Sequence, residues 1–155
     1  MSYNGNLINS SAIRNGKTSA IQVKSLHGKG FSLNLLKGMH IGRSSVYAAI
    51  QVGLWMGYDH IYIFGCDMGA VNGKLYPWGS NPDVADVART KRFKYEAEHY
   101  GWMAKNIGND LKKKITFCSM HNKWGFTKHF EKLDHMKAID VIKHKYAAKN
   151  TKAES

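Results

Sequence analysis

The sequence predicts an α/β fold, a mostly parallel three-layer domain with few strands and with helices covering the sheet. Two segments with apolar residues at helical spacing, about 44–57 and 83–107, each lead into a short apolar strand-like run, and a third helical segment follows. Strands that alternate with helices pair in parallel, because each helical crossover returns the chain to the same end of the sheet. Core material is ample: 43% hydrophobic and 12% aromatic residues in a chain of 155, a length suited to one domain rather than two.

Residues 1–16 are rich in Asn, Ser and Gly and are expected to form an irregular arm ahead of a single domain at 17–146. From Ser19 to Ser25, Ile21 and Val23 alternate with Gln22 and Lys24, the period of a strand with one solvated face, and Gly28 and Gly30 end the run. Ser44 to Gly57 reads as a helix with Val46, Ala49, Ile50, Gly53 and Leu54 on its inner face, Ser44 as the N-cap and Gly57 as the C-cap. His60 to Gly65 is almost continuously apolar, as expected of an interior strand covered on both faces. Glycine and proline breaks between Gly69 and Asp83 predict a long loop around Tyr76, Pro77 and Trp78.

A second helix is expected from about Asp83 to Ile107, with Phe93, Ala97, Tyr100, Ala104 and Ile107 inward and Gly101 as its weak point. Ile115 to Cys118 forms a third strand. Phe126 to about Tyr146 forms a last helix with Phe130, Leu133, Met136, Ile139 and Ile142 inward, followed by a frayed tail at 147–155.

Composition excludes several classes. Two cysteines, Cys66 and Cys118, are too few for a disulfide framework and are expected to be buried free thiols in a reducing cytoplasm. No leader-like segment and no run long enough to span a membrane is present, and no HExxH or paired Cys/His spacing predicts a metal. No cofactor is expected. The 23 Lys and Arg residues against 11 Asp and Glu give a formal charge of +12, with six basic and no acidic residues in the first fifty and twelve against five in 101–155. Such flanks attract phosphate-bearing partners, whether nucleotides or nucleic acids.

Three segments carry candidate chemistry. Gly38-Met-His-Ile-Gly-Arg-Ser-Ser45 opens the first helix, where free N–H groups, the dipole, serine hydroxyls and Arg43 could face one anion; a glycine turn with a serine cap is the structural alternative. It is neither GxxxxGK[ST] nor GxGxxG, so neither a P-loop nor a dinucleotide fingerprint is present. Asp67, after Gly65, sits where open α/β sheets hold ligands, at the carboxyl end of a strand, and suits ribose hydroxyls, a divalent ion or an Asx turn. Ser119, His121 and Asn122 follow the third strand at the same edge, with His121 either a base or an ordinary surface histidine. Arg89, Lys91, Arg92 and Lys94, with Lys105 and Lys112 to Lys114, form a basic run that suits helix ends, solubility or a nucleic-acid backbone.

The segment Gly42-Arg-Ser-Ser-Val-Tyr-Ala-Ala-Ile-Gln-Val-Gly-Leu-Trp-Met-Gly57, followed by Tyr58-Asp-His-Ile-Tyr-Ile-Phe-Gly-Cys-Asp-Met68, resembles the sialyltransferase-like and motility-accessory glycosyltransferase-like proteins. That superfamily also includes archaeal pterin pyrophosphokinases and many phage proteins. The likeness is specific over 40–68 and loose to about 122. It implies a Rossmann-like fold in which the helix-opening loop and the Gly-x-Asp loop contact a nucleotide or nucleotide sugar, with Ser44, Ser45 and Asp67 as the matching positions. Gly42, Arg43, Gly65 and Ser119 join them as binding candidates from their own places at these segments. The His-Tyr-x-x-His segment of the sialyltransferases is echoed by His99-Tyr100-Gly101-Trp102-Met103, with Met103 in place of the second histidine.

Family members with transferase chemistry carry a longer amino-terminal half, whereas about forty residues precede the first helix here, so an incomplete donor pocket is expected. The functional expectation is a small phage-type protein that binds a nucleotide or nucleotide sugar and transfers a glycosyl group, with His99 or His121 as base. The alternative is a noncatalytic basic accessory protein that binds nucleic acid or a host protein. Its expected location is the cytoplasm of a host cell, as a homodimer that protects an open sheet edge.

Overall fold

The computed structural model describes residues 23–69, 82–119 and 125–153. In chain order it contains β1 (Ser25–Leu26), β2 (Met39–His40), α1 (Ser45–Trp55), β3 (Ile61–Ile63), α2 (Pro82–Asn106), α3 (Asn109–Lys112) and β4 (Ile115–Phe117). A 3-10 turn (Phe126–His129), β5 (Glu131–Lys132) and α4 (His135–Ala153) complete it. Every pairing among these strands is parallel: β1 with β2, and a second sheet in the order β3-β4-β5. This is a small, mostly parallel, Rossmann-like α/β domain with few strands and several helices, as the alternation of apolar patterns requires. The arm at 1–16, the start of the strand at Ser19 to Gln22, and the loop from Ala70 to Asn81 lie outside the described residues.

One core joins the second sheet to the helices. Ile63, Ile115 and Phe117 meet Tyr47, Ile50 and Leu54 of α1, Tyr100 and Met103 of α2, and Phe130. The rings pack edge to face, Tyr47 on Tyr100 at 5.2 Å and Tyr100 on Phe117 at 5.8 Å. Full burial of each such side chain contributes about 1.5–3 kcal/mol. A smaller cluster of Val23, Leu35, Met39 and Ala48 sits under β1 and β2.

Helix α1 therefore packs on two sides, and its buried residues are Tyr47, Ala48, Ile50, Gln51 and Leu54. Ala49, expected inward, is exposed, and Ala48 and Gln51 take the inner positions. The expectation of a single apolar stripe fails because the helix bridges two clusters. Gly57, with φ +81°, ends the helix as expected, its N–H bonded to the Leu54 carbonyl. Helix α2 matches its expected span within one residue at each end and passes through Gly101 without a break.

Two expectations need correction. The interior strand of the second sheet is β4, not β3: Ile115, Thr116 and Phe117 are all buried, whereas Phe64, just after β3, is 45% exposed. The segment 126–146 is not one helix. Phe130 turns in to pack on Phe117 at 5.2 Å, Glu131 and Lys132 then pair with β4, and Asp134 caps a new helix through bonds from Met136 N–H and Lys137 N–H to its Oδ1. Restarting the helix resets its phase, so Met136, expected inward, is 58% exposed and Ala138 is buried instead. Helix α4 runs on to Ala153, past the expected end of the domain at 146. No helix among the described residues is long and apolar enough to cross a membrane.

Candidate functional site

Parallel pairing delivers the carboxyl ends of β3 and β4 to one edge of the second sheet, and Tyr100 of α2 links that edge to the segment after β2 in the first sheet. Three strand-end segments thus carry the candidate residues: 41–44 after β2, 64–69 after β3, and Cys118–Ser119 after β4. In the first, Gly42 has φ +57° and no room for a side chain, since a Cβ there would stand 2.6 Å from the Tyr47 ring. Arg43 follows at φ 58°, a left-handed conformation that costs a non-glycine residue about 1–2 kcal/mol. Among the described residues only Met68 shares it, at φ 49°, on the second of the three segments. Strained residues of this kind persist where the surroundings hold them, and they concentrate at ligand sites.

What holds Arg43 comes from α2. Arg92 donates from its guanidinium to the Arg43 carbonyl at 3.3 Å, and the Arg92 Nε is itself anchored on Glu96 Oε1 at 2.7 Å. The Arg43 guanidinium lies 4.9 Å from the centre of the Tyr95 ring, a cation–π contact. Glu96 is buried, and burial raises its pKa against the opposing pull of Arg92.

Ser44 has the extended backbone of an N-cap, yet its hydroxyl makes no capping bond. It pairs instead with the Tyr100 hydroxyl at 3.4 Å, so the first turn of α1 keeps N–H groups without a side-chain acceptor from its cap. Tyr100, fully buried, also lies 4.0 Å from the Cys66 sulfur and so ties the helix mouth to the Gly-x-Asp segment. Burial pushes the Tyr100 hydroxyl well above its usual range and raises the Cys66 thiol to about 11, so both stay protonated at neutral pH. Cys66 and Cys118 are both buried and neither is in a disulfide, as expected. Across the β3–β4 boundary, the Ser119 hydroxyl donates to Asp67 Oδ1, which brings these two candidates together.

His99 is only 3% exposed, packed between Tyr95 and Tyr47, and its Nδ1 has no hydrogen-bond partner among the described residues. Burial first, then the nearby cationic Lys29, holds its pKa below the ordinary histidine value; His40 and Arg43 add to this, and Glu98 opposes it. Ser45 is exposed on the first turn of α1, and Gly65, at φ +68°, is exposed at the end of β3. His121, with Asn122, lies outside the described residues. No group of three or more potential metal-ligating residues occurs among the described residues.

Sequence reasoning missed Arg92, Tyr95, Glu96 and Tyr100 as parts of this site. Their signal is the helical spacing: 92, 95, 96, 99 and 100 share one face of α2, where polar groups alternate with core positions. It also missed Gln51, which is fully buried and bonds His40 N–H, Ser32 N–H, and the carbonyls of His40 and Tyr47.

The histidines impose a pH dependence on the fold. His99, His60 and His129 all have folded pKa values below the ordinary value of about 6.5, burial being the first cause of each. The unfolded chain therefore binds more protons, and the stability these groups contribute is present above about pH 6.5 and lost as pH falls through the folded values. Glu96, with a raised folded pKa, acts in the opposite sense, its contribution present below the ordinary carboxylate value and lost as pH rises. The expected result is a urea midpoint that falls between pH 7 and pH 5, with a shallower fall in His99→Gln. A midpoint that is flat over this range contradicts it.

The fold is that of a small parallel α/β domain, with two left-handed non-glycine residues, Arg43 and Met68, on the segments that follow its strands. Comparison with protein-family models, curated proteins and solved structures returned no match.

Proposed function

We propose that this edge binds the phosphates of a nucleotide or nucleotide sugar. The observation that carries the reading is Arg43, held in a left-handed conformation at the positive end of α1 by Arg92 and Tyr95. A helix N-terminus with unclaimed N–H groups and an adjacent guanidinium favours a phosphate group. Asp67, oriented by Ser119, stands at the next strand end, in reach of the polar groups of a ribose or sugar.

In a glycosyl transfer at this edge, an acceptor hydroxyl attacks the anomeric carbon, the bond from that carbon to the phosphate oxygen breaks, and Arg43 with the α1 N–H groups takes up the negative charge. The hydroxyl proton passes to solvent, because His99 Nδ1 is buried away from a bound acceptor. Calorimetric titration with nucleoside diphosphates and with CMP and UDP sugars tests the binding step. The expected result is saturable heat, displaced by inorganic phosphate at low salt and weakened at least tenfold in Asp67→Asn. Absence of heat for every nucleotide ends this reading.

A further inference from the structure

A second charged surface lies at the other end of α2. Gly108, at φ +79°, turns the chain sharply from α2 into α3, so that Lys105 in the last turn of α2 and Lys112 in the last turn of α3 flank one short connection. The 3-10 turn, which ends in Lys128 and His129, packs against α2. The proximity is electrostatic as well as topological. The charges of Lys128, Lys105 and Lys112 all act on His129 and, after burial, lower its pKa.

Four basic side chains from three elements thus converge, and none of the three lysines forms an ion pair among the described residues, where the acidic partners are Glu98, Glu96 and Asp134. Asp110 on α3 is the acid nearest in sequence. The carbonyl ends of the helices offset part of the mutual repulsion. Trp102, half-buried, lies one turn before Lys105 on the same face of α2. Cations beside an aromatic ring are the combination that binds single-stranded nucleic acid, the lysines taking phosphates and the ring stacking on a base.

We propose that the surface formed by Lys105, Lys112, Lys128, His129 and Trp102 binds single-stranded nucleic acid, independently of the nucleotide edge at the mouth of α1. The phosphate contacts release counterions, so affinity falls with salt at a slope of about 0.7 per contact on a single strand.

The test is fluorescence anisotropy of a labelled single-stranded oligonucleotide against salt concentration, for the wild type and two triple variants of equal net charge. One carries Lys105→Ala, Lys112→Ala and Lys128→Ala. The control carries Lys37→Ala, Lys137→Ala and Lys143→Ala, at exposed positions elsewhere. The cluster variant is expected to lose at least tenfold in affinity at low salt and to show a log–log slope shallower by about 2, since three contacts at about 0.7 each are removed. The control is expected to stay within about threefold of the wild type, with a slope close to it, and Trp102→Ala to weaken binding severalfold with no change of slope. Equal losses in the two triple variants, equally effective competition by polyglutamate of matched charge, or no binding by the wild type would each overturn the proposal.

Discussion

Replacing Gln51 with leucine is expected to destabilise the domain by about 2–4 kcal/mol, although the two side chains have nearly the same volume. The Gln51 amide bonds the His40 carbonyl at 2.6 Å, and its oxygen accepts from His40 N–H at 3.3 Å and Ser32 N–H at 2.9 Å. Leucine leaves all three backbone groups without these partners, and a buried polar group without a partner costs about 1–3 kcal/mol. Water reaches part of Ser32 and His40, which are half-buried, and this limits the sum. At about 2–4 °C per kcal/mol, the melting temperature should fall by roughly 5–15 °C.

Gln51→Glu supplies the complementary test. A protonated carboxyl group is a near isostere of the amide and can donate to the His40 carbonyl, whereas the carboxylate cannot. Burial raises the pKa of such a group, so its stability relative to the wild type should be nearly restored at low pH and lost as pH rises through the folded pKa. Gln51→Leu should show no such recovery. Urea unfolding at several pH values decides, and a leucine variant within about 0.5 kcal/mol of the wild type would show that β2 does not depend on this side chain.

Substitution of Arg43 is expected to separate binding from stability. Loss of a charge-assisted contact to phosphate costs about 1.5–3 kcal/mol, so both Arg43→Ala and Arg43→Gly should weaken a nucleoside diphosphate by roughly 10-fold to 150-fold. Their stabilities should differ. Both lose the contact with Tyr95, worth about 0.5–1 kcal/mol. Only alanine retains the strain of φ 58°, so the glycine variant should be the more stable of the two by about 1 kcal/mol. Equal stabilities would mean that the left-handed conformation is not retained, and unchanged affinity would remove Arg43 from the phosphate site.

Much of the architecture is legible in the chain because it is local. The apolar spacing of 44–57 and 83–107 places α1 and α2 nearly to the residue, and the glycines at 42, 57 and 65 mark turns that require positive φ. Asp67 and Ser119 are legible as candidates because each follows an apolar strand run, and parallel strands bring those ends to one edge. The segment 126–146 misleads because Phe130, Leu133 and Met136 keep helical spacing across Glu131 and Lys132, two residues that pairing with β4 draws into a strand. The Asp134 cap is a local signal that locates the restart of the helix.

The sequence by itself determined the class of the fold, its two main crossover helices and the residues that its strand ends would present, since periodicity and turn chemistry act between near neighbours. Tertiary structure alone decided which of those residues meet. It set Arg92 and Tyr95 on Arg43, joined Tyr100 to Ser44 and Cys66, and turned Gln51 onto β2. It also packed the 3-10 turn, with Lys128 and His129, against α2. The physical reason is that a helix pattern says which residues share a face but not what that face will touch. That depends on how the sheets and helices pack, and contacts between residues such as 43 and 92 leave no periodic trace in either segment.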